Sequence, residues 1–180
     1  ELNLLDGKAA TNLALVGKQE GTNFTSSLLV GHATTGTLDD ARNNAGVGIG
    51  TLDALTSGDN NTAIGKGAGT AITTGGNNTA LGTNSLLTAS TGAQNTAIGR
   101  DALKLTTGSY NIGIGYTAGA NISSGDANVI IGNIDADSAT GDKQLIVADG
   151  EDGSVAWIKG DANGQVKLIS GYIAEVALTD

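Results

Sequence analysis

Carboxylates are the reactive side chains that this 180-residue chain groups together: Asp39-Asp40, then Asp135, Asp137 and Asp142, then Asp149, Glu151 and Asp152, then Asp161 beside Asn163. Oxygen ligands at alternating positions around a glycine bend would hold calcium, and the run from Asp149 to Gly153 has that texture. The same residue types also make turns, because Asp and Asn side chains bond nearby backbone amides, and this is the reading their spacing favours. Glycoside cleavage needs two carboxylates facing across a sugar, and nothing marks Asp101 and Asp126 beyond a solvated turn. His32 is the only histidine and Cys is absent, which argues against thiolate or histidine metal sites and a Ser-His-Asp triad. Tyr110, Tyr116 and Trp157 are the candidate ligand-binding residues, since an exposed aromatic ring stacks on a sugar. We therefore expect no catalytic residue, no metal and no cofactor.

The elements that would position these residues are written in a repeated phrase. It reads Gly46-Val47-Gly48-Ile49-Gly50, Asn61-Thr62-Ala63-Ile64-Gly65, Asn78-Thr79-Ala80-Leu81-Gly82, Asn95-Thr96-Ala97-Ile98-Gly99, Asn111-Ile112-Gly113-Ile114-Gly115 and Asn128-Val129-Ile130-Ile131-Gly132. The closing glycines are 15, 17, 17, 16 and 17 residues apart, a period too regular for chance and too short for a helical hairpin. After each phrase come a small residue, an apolar residue and a Ser/Thr pair ending in glycine, as in Thr73-Thr74-Gly75 and Ser123-Ser124-Gly125. Each unit reads as a short strand, a glycine turn, a second short strand and a polar turn.

Side chains alternate across a strand, so substitution between copies assigns the faces. The β-branched and aliphatic pairs Val47/Ile49, Thr62/Ile64, Thr79/Leu81, Thr96/Ile98, Ile112/Ile114 and Val129/Ile131 share one face, which we expect to be the structural core. The residue between them is small in most copies, leaving the opposite face crowded by a neighbouring backbone. The recurrent Asn reads as a turn residue that tolerates left-handed dihedrals.

Composition supports a thin, repetitive core. Aromatics are 3% of the chain, too few for an ordinary globular interior, and 29 glycines without proline exclude collagen. A net charge of −9 argues against nucleic acid or an anionic membrane as partner. No run of 18 apolar residues is present, so no membrane insertion is expected.

Residues 1–43 read as an N-terminal connector with atypical rungs, in which Asn12 to Gly17 and Ser26 to Gly31 are degenerate copies of the strand phrase. The run Leu38 to Asn44 reads as a loop or helical turn. Residues 44–135 form the repeat region, and 136–180 a C-terminal β cap. In that cap Ser154 to Gly160 and Gln165 to Ser170 alternate as strands around the hairpin turn Asp161-Ala162-Asn163-Gly164. Glu1 and Asp180 read as the limits of a fragment of something longer. The fold expected is all-β: a β-roll or β-solenoid with rungs of 14–19 residues, followed by a small antiparallel β unit.

The Asn-Thr-Ala-Ile-Gly phrase, with Thr106-Thr107-Gly108-Ser109-Tyr110-Asn111 between copies, resembles the repeats of phage tail-fibre and tail-spike proteins, which often precede an endosialidase-type intramolecular chaperone. It is more distantly similar to the head repeats of YadA-like trimeric autotransporter adhesins, left-handed parallel β-rolls intertwined as trimers. Glu1 to Gly7 and Lys143 to Ile169 resemble segments flanking such repeats in phage fibres. The chain departs from that pattern in having Tyr after the closing glycine only at Tyr116, and in lacking the chaperone.

The resemblance implies a homotrimer located in a virion tail fibre or otherwise extracellular, mediating attachment to a host-surface glycan or protein receptor. Thin rungs agree with a trimer on energetic grounds. A buried Ile contributes roughly 1.5–3 kcal/mol while each ordered residue costs about 1–2 kcal/mol of backbone entropy, so a lone roll is marginal. Two alternatives belong to other classes. One is an ice-binding solenoid, for which Thr62, Thr79 and Thr96 would have to point outward, and their place beside the aliphatic positions argues that they point inward. The other is a polysaccharide-cleaving β-helix, which would want longer rungs and paired carboxylates.

Overall fold

The structure, a computed structural model, describes residues 17–18, 24–30 and 37–168. Its strands are β1 (Gly17–Lys18), β2 (Phe24–Thr25), β3 (Leu28–Val30), β4 (Ala41–Arg42), β5 (Ala45–Val47), β6 (Thr62–Ile64), β7 (Thr79–Leu81), β8 (Thr96–Ile98), β9 (Ile112–Ile114), β10 (Val129–Ile131), β11 (Leu145–Ala148), β12 (Ala156–Gly160) and β13 (Val166–Leu168). Among the described residues there is no helix. Strands β3 and β5 to β11 stack in parallel, each on the next, so the chain is an all-β parallel solenoid of about seven turns. Strand β1 runs antiparallel to β3, and β2 pairs with β4 in a separate parallel two-stranded sheet. The run Leu38 to Asn44 thus contains a strand and turns instead of a helical turn. Glu1 to Gly7, Asn12 to Val16 and His32 lie outside the described residues.

Register corrects the first copy of the phrase. Val47 pairs with both Val30 and Ile64, so the rung closes at Gly48, and the 15-residue spacing to Gly65 becomes 17. Ile49-Gly50 imitates the end of the phrase but lies in the turn beyond it. The second strand expected in each unit is absent from the rungs after β5 to β9, where turns follow the closing glycine. Left-handed residues bend the chain there: Leu52, Asn84, Leu86, Asp101, Leu103 and Thr117 all have positive φ. Single backbone bonds tie these turns to the next rung, such as Leu86 N to Ala102 O at 3.1 Å.

The faces of the strands are the reverse of those expected. In β5 to β8 the middle residue is buried and its neighbours point outward. The core consists of Ala63, Ala80, Ala97 and Ile130 from the strands, with Leu52, Leu86, Leu103, Ile72 and Ile122 reaching in from the turns. Crowding inside a narrow roll is the reason. A Cβ on Gly46 would meet Leu29 Cδ2 at 2.4 Å, and one on Gly113 would meet Leu103 Cγ at 2.7 Å. Through β5 to β9 the interior is already filled by such leucines, so the strand adds no more than a methyl there, whereas Leu29 of β3, Ile130 of β10 and Ile146 of β11 fill the end rungs themselves. Val47, Ile49, Thr62, Ile64, Thr79, Leu81, Thr96, Ile98, Ile112, Ile114, Val129 and Ile131 are therefore not the core of this chain; none is fully buried.

Two backbone columns explain the recurrent glycines. Gly99 has φ +131°, and a Cβ there would lie 2.1 Å from Gly115 O in the next rung. At the far corner a Cβ on Gly108 would lie 2.2 Å from Gly125 O. Both glycines let successive rungs approach to hydrogen-bonding distance.

The recurrent Asn has a different task from the one its residue type suggested. The left-handed positions are the residues before it, Asn43, Asn60, Asn77, Gln94, Tyr110 and Ala127. Asn44, Asn61, Asn78, Asn95, Asn111 and Asn128 are instead fully buried and stacked. Asn78 Nδ2 donates to Asn61 Oδ1 at 3.1 Å and to Gly92 O at 2.9 Å, while its own Oδ1 accepts from Asn95 N at 3.0 Å. Ser27 Oγ opens the column by accepting from Asn44 N, and Gln144 closes it by donating to Asn128 Oδ1, Ser138 O and Gly141 O. Among the described residues every buried side-chain amide is satisfied, as burial of polar groups demands.

Parallel stacking ends at β11. Strand β12 adds antiparallel with a bulge at Val147/Ala148, and β13 adds antiparallel to β12, which is the small unit expected after the repeats.

Candidate functional site

An exposed apolar surface lies on the outward side of the long sheet. Register places Ala45, Thr62, Thr79, Thr96, Ile112 and Val129 in one column, and Val47, Ile64, Leu81, Ile98, Ile114 and Ile131 in a second. Leu145 and Val147 of β11 extend both columns, followed by Gly160 and Ile158 of β12, then Val166 and Leu168 of β13. Val47, Ile64, Leu81, Ile98 and Ile114 are 36–48% exposed, high for side chains of this kind aligned in a row. Neither column contains a charged residue, although the chain carries 27 charged side chains, 9 basic and 18 acidic. From β3 to β13 there are ten strands in sequence across the sheet, so the strip is roughly 43 Å long at about 4.8 Å per step.

Each carboxylate cluster has members engaged in local structure. Asp149 accepts from the backbone amides of Val155 at 2.7 Å, Gly153 at 2.9 Å, Asp152 at 3.1 Å and Glu151 at 3.2 Å. Those amides, Val155 and Asp152 foremost, hold its carboxyl below the ordinary aspartate range. What resembled a calcium loop is a turn built around one carboxylate. Asp161 likewise accepts from Asn163 N and Gln165 N at the hairpin turn. Asp135 accepts from Asn121 N, Asp142 from Asp126 N, and Asp137 faces Lys159 Nζ. Asp40 pairs with Arg42. Among the described residues no group of three or more His, Cys, Asp or Glu side chains is placed to hold a metal ion.

Asp101 and Asp126, the acids weighed for sugar cleavage, are engaged separately. Asp126 Oδ1 accepts from Ser109 N at 2.7 Å, joining adjacent rungs. Burial pushes the Asp101 carboxyl up, and bonds from Asn84, Arg100 and Lys104 more than offset it, leaving it below its ordinary value. Its neighbours stand at 3.2 Å (Asn84 Nδ2), 2.9 Å (Arg100 Nε) and 3.3 Å (Lys104 Nζ).

The three aromatic candidates are exposed and are not brought into one site. Tyr110 precedes β9, Tyr116 follows it, and Trp157 lies on β12 at the bulge. Tyr116 is partly occupied: the Arg100 guanidinium stands 4.6 Å from its ring centroid, and Arg100 Nη2 donates to its hydroxyl at 2.7 Å.

The residues that sequence reasoning placed in the core are thus the ones that line the exposed strip. Their signal was present in the copies: Gly or Ala fills the middle position in five of six, as a filled lumen requires. Compared with protein-family models, curated proteins and solved structures, the chain matches none. Among the described residues no helix is long and apolar enough to cross a membrane.

Proposed function

We propose that this chain is a structural and attachment protein, a homotrimeric segment of a virion tail fibre or similar extracellular fibre that binds a host-surface glycan or protein receptor. The observation that carries the reading is the uncharged aliphatic strip along the outward face of the sheet. Apolar surface of this length is stabilised by being covered, each buried aliphatic side chain contributing roughly 1.5–3 kcal/mol. Copies of the same chain are the covering that fits best. They carry the same rung spacing of about 4.8 Å, so their side chains interdigitate along the whole strip, which a partner of another period cannot do. An uncharged face also suits self-association in a chain of net charge −9, because no like charges are brought together. The resemblance of the repeated phrase to phage tail-fibre repeats supplies the biological setting.

A double substitution tests it. Leu81→Asp with Ile98→Asp places two charges on the strip without touching the lumen, and sedimentation velocity should report monomers with an unchanged far-UV spectrum. Unchanged association would remove the strip from the interface. Attachment itself is tested by binding of the unmodified chain to glycan arrays and host cells.

One observation favours a second reading. Thr62, Thr79 and Thr96 point outward in register, contrary to the expectation that they face inward, and an outward threonine column is what an ice-binding solenoid presents. The adjacent column is aliphatic at every rung, which favours protein contact over a water lattice. Thermal hysteresis from a monomeric chain would support the ice-binding reading instead.

A further inference from the structure

An apolar face repeating every rung has an intrinsic problem of register. Ile64, Leu81, Ile98, Ile114 and Ile131 present a similar aliphatic at each step, so sliding one copy past another by one rung, about 4.8 Å, costs little. A copy displaced by one rung from its neighbour, repeated around the assembly, does not close and grows into an open filament. Something on the face must distinguish one rung from the next.

The parallel column does so. It is Ala45, then Thr62, Thr79 and Thr96, then Ile112 and Val129. Several other threonines in the roll spend their hydroxyls within the chain, although Thr74, Thr83 and Thr91, which lie in the turns and off this sheet face, do not. Thr51, Thr56, Thr70 and Thr73 Oγ1 each donate to a backbone carbonyl of a neighbouring rung at 3.1, 3.1, 2.7 and 2.9 Å. Thr62, Thr79 and Thr96 have no such bond among the described residues, and Thr62 and Thr79 are exposed with Thr96 half-buried. Three free hydroxyls thus stand in the middle of an otherwise apolar strip.

We propose that Thr62, Thr79 and Thr96 are the register-determining residues of the contact between copies, pairing hydroxyl with hydroxyl across it. This rests on the reading that copies of the chain cover the strip. When copies stand level, each hydroxyl meets its equivalents and exchanges hydrogen bonds, as cross-strand threonine pairs do. After a slip of one rung only two of the three layers still meet, and a hydroxyl at each end of the block is buried against Ala45 or Ile112 without a partner. An unpaired buried hydroxyl loses its hydration with nothing in return, so the level, closed arrangement is selected. A single buried polar residue sets the register of coiled coils by the same physics.

The test is the mass distribution of the full chain carrying Thr62→Val, Thr79→Val and Thr96→Val together, beside the unmodified chain and the Thr→Ser triple. Valine keeps the shape and removes the hydroxyl; serine keeps the hydroxyl. The expected result is one closed species for the unmodified and serine chains, and for the valine chain additional species of larger mass. A valine chain as uniform as the unmodified one would overturn the register role while leaving the fibre reading in place. A monomeric unmodified chain would overturn both.

Discussion

Asn111 and Asn95 are adjacent in the buried amide column, yet their side chains are not joined as the others are. Asn111 N donates to Asn95 Oδ1 at 2.9 Å, but Asn111 Nδ2 turns to Thr106 Oγ1 at 3.4 Å and Gly125 O at 2.8 Å. This is where the rung is one residue shorter, 16 instead of 17 from Gly99 to Gly115, and the fully buried Thr106 fills the space with a hydroxyl. A deletion in one turn is thus absorbed by one hydrogen bond, and the column continues from Asn111 to Asn128.

Thr106→Val removes that acceptor at nearly constant volume. Because the bond is long, we expect a loss of about 1 kcal/mol, read as a fall in denaturant midpoint at unchanged slope.

Breaking the column elsewhere costs more. Asn78→Leu removes an acceptor for both Asn95 N and Asn95 Nδ2 and the donor to Gly92 O. Asn95 Nδ2 keeps its bond to Gly108 O, so two groups, Asn95 N and Gly92 O, are left buried and unpaired at about 1–3 kcal/mol each, and a total of about 2–6 kcal/mol is expected. In a solenoid the loss should also split the transition, since each rung is held by its neighbours, and calorimetry would show two steps where the unmodified chain has one.

Glycine substitutions should separate sharply by position. Gly99→Ala forces a Cβ to 2.1 Å from Gly115 O at φ +131°, and we expect more than about 3 kcal/mol of destabilisation. Gly150→Ala meets nothing within 4 Å and should lie within about 0.5 kcal/mol of the unmodified chain by chemical denaturation.

The Asp149 turn should loosen in acid. Its carboxyl pKa is lowered in the fold, so the stabilisation is complete above the unfolded value of about 3.9 and is lost as pH falls through the lower folded value. Amide chemical shifts of Gly153 and Val155 should move together in that acid window, and Asp149→Asn should abolish the titration. Shifts that titrate only in the ordinary aspartate range would contradict the assignment.

Period, the first strand of each unit and the closing antiparallel unit were legible in the residues, whereas the second strand expected in each unit falls where the chain turns. The short apolar phrase states a strand, and six copies state a stack. Which side faced inward was not, because alternation defines two faces without saying which is buried. Aliphatic Ile64 and Ile98 suggest burial, and a strip covered by another copy looks the same as a core when only one chain's sequence is read. The leucines that fill the lumen, Leu52, Leu86 and Leu103, come from turns at left-handed φ, where propensity gives no warning of them. The amide column was hidden for a related reason: a single Asn beside a turn is an ordinary turn residue. The stronger signal lay in comparing copies, where Asn61, Asn78, Asn95, Asn111 and Asn128 persist while the residue before changes among Asn, Gln, Tyr and Ala.

The measurement that tests the central claim most directly is the mass of the purified chain by light scattering, before and after heating in detergent. Covering of the outward strip by two further copies predicts a mass near three times 17.7 kDa, 53.1 kDa, falling to that of one chain only on heating. A folded species of 17.7 kDa before heating would contradict it.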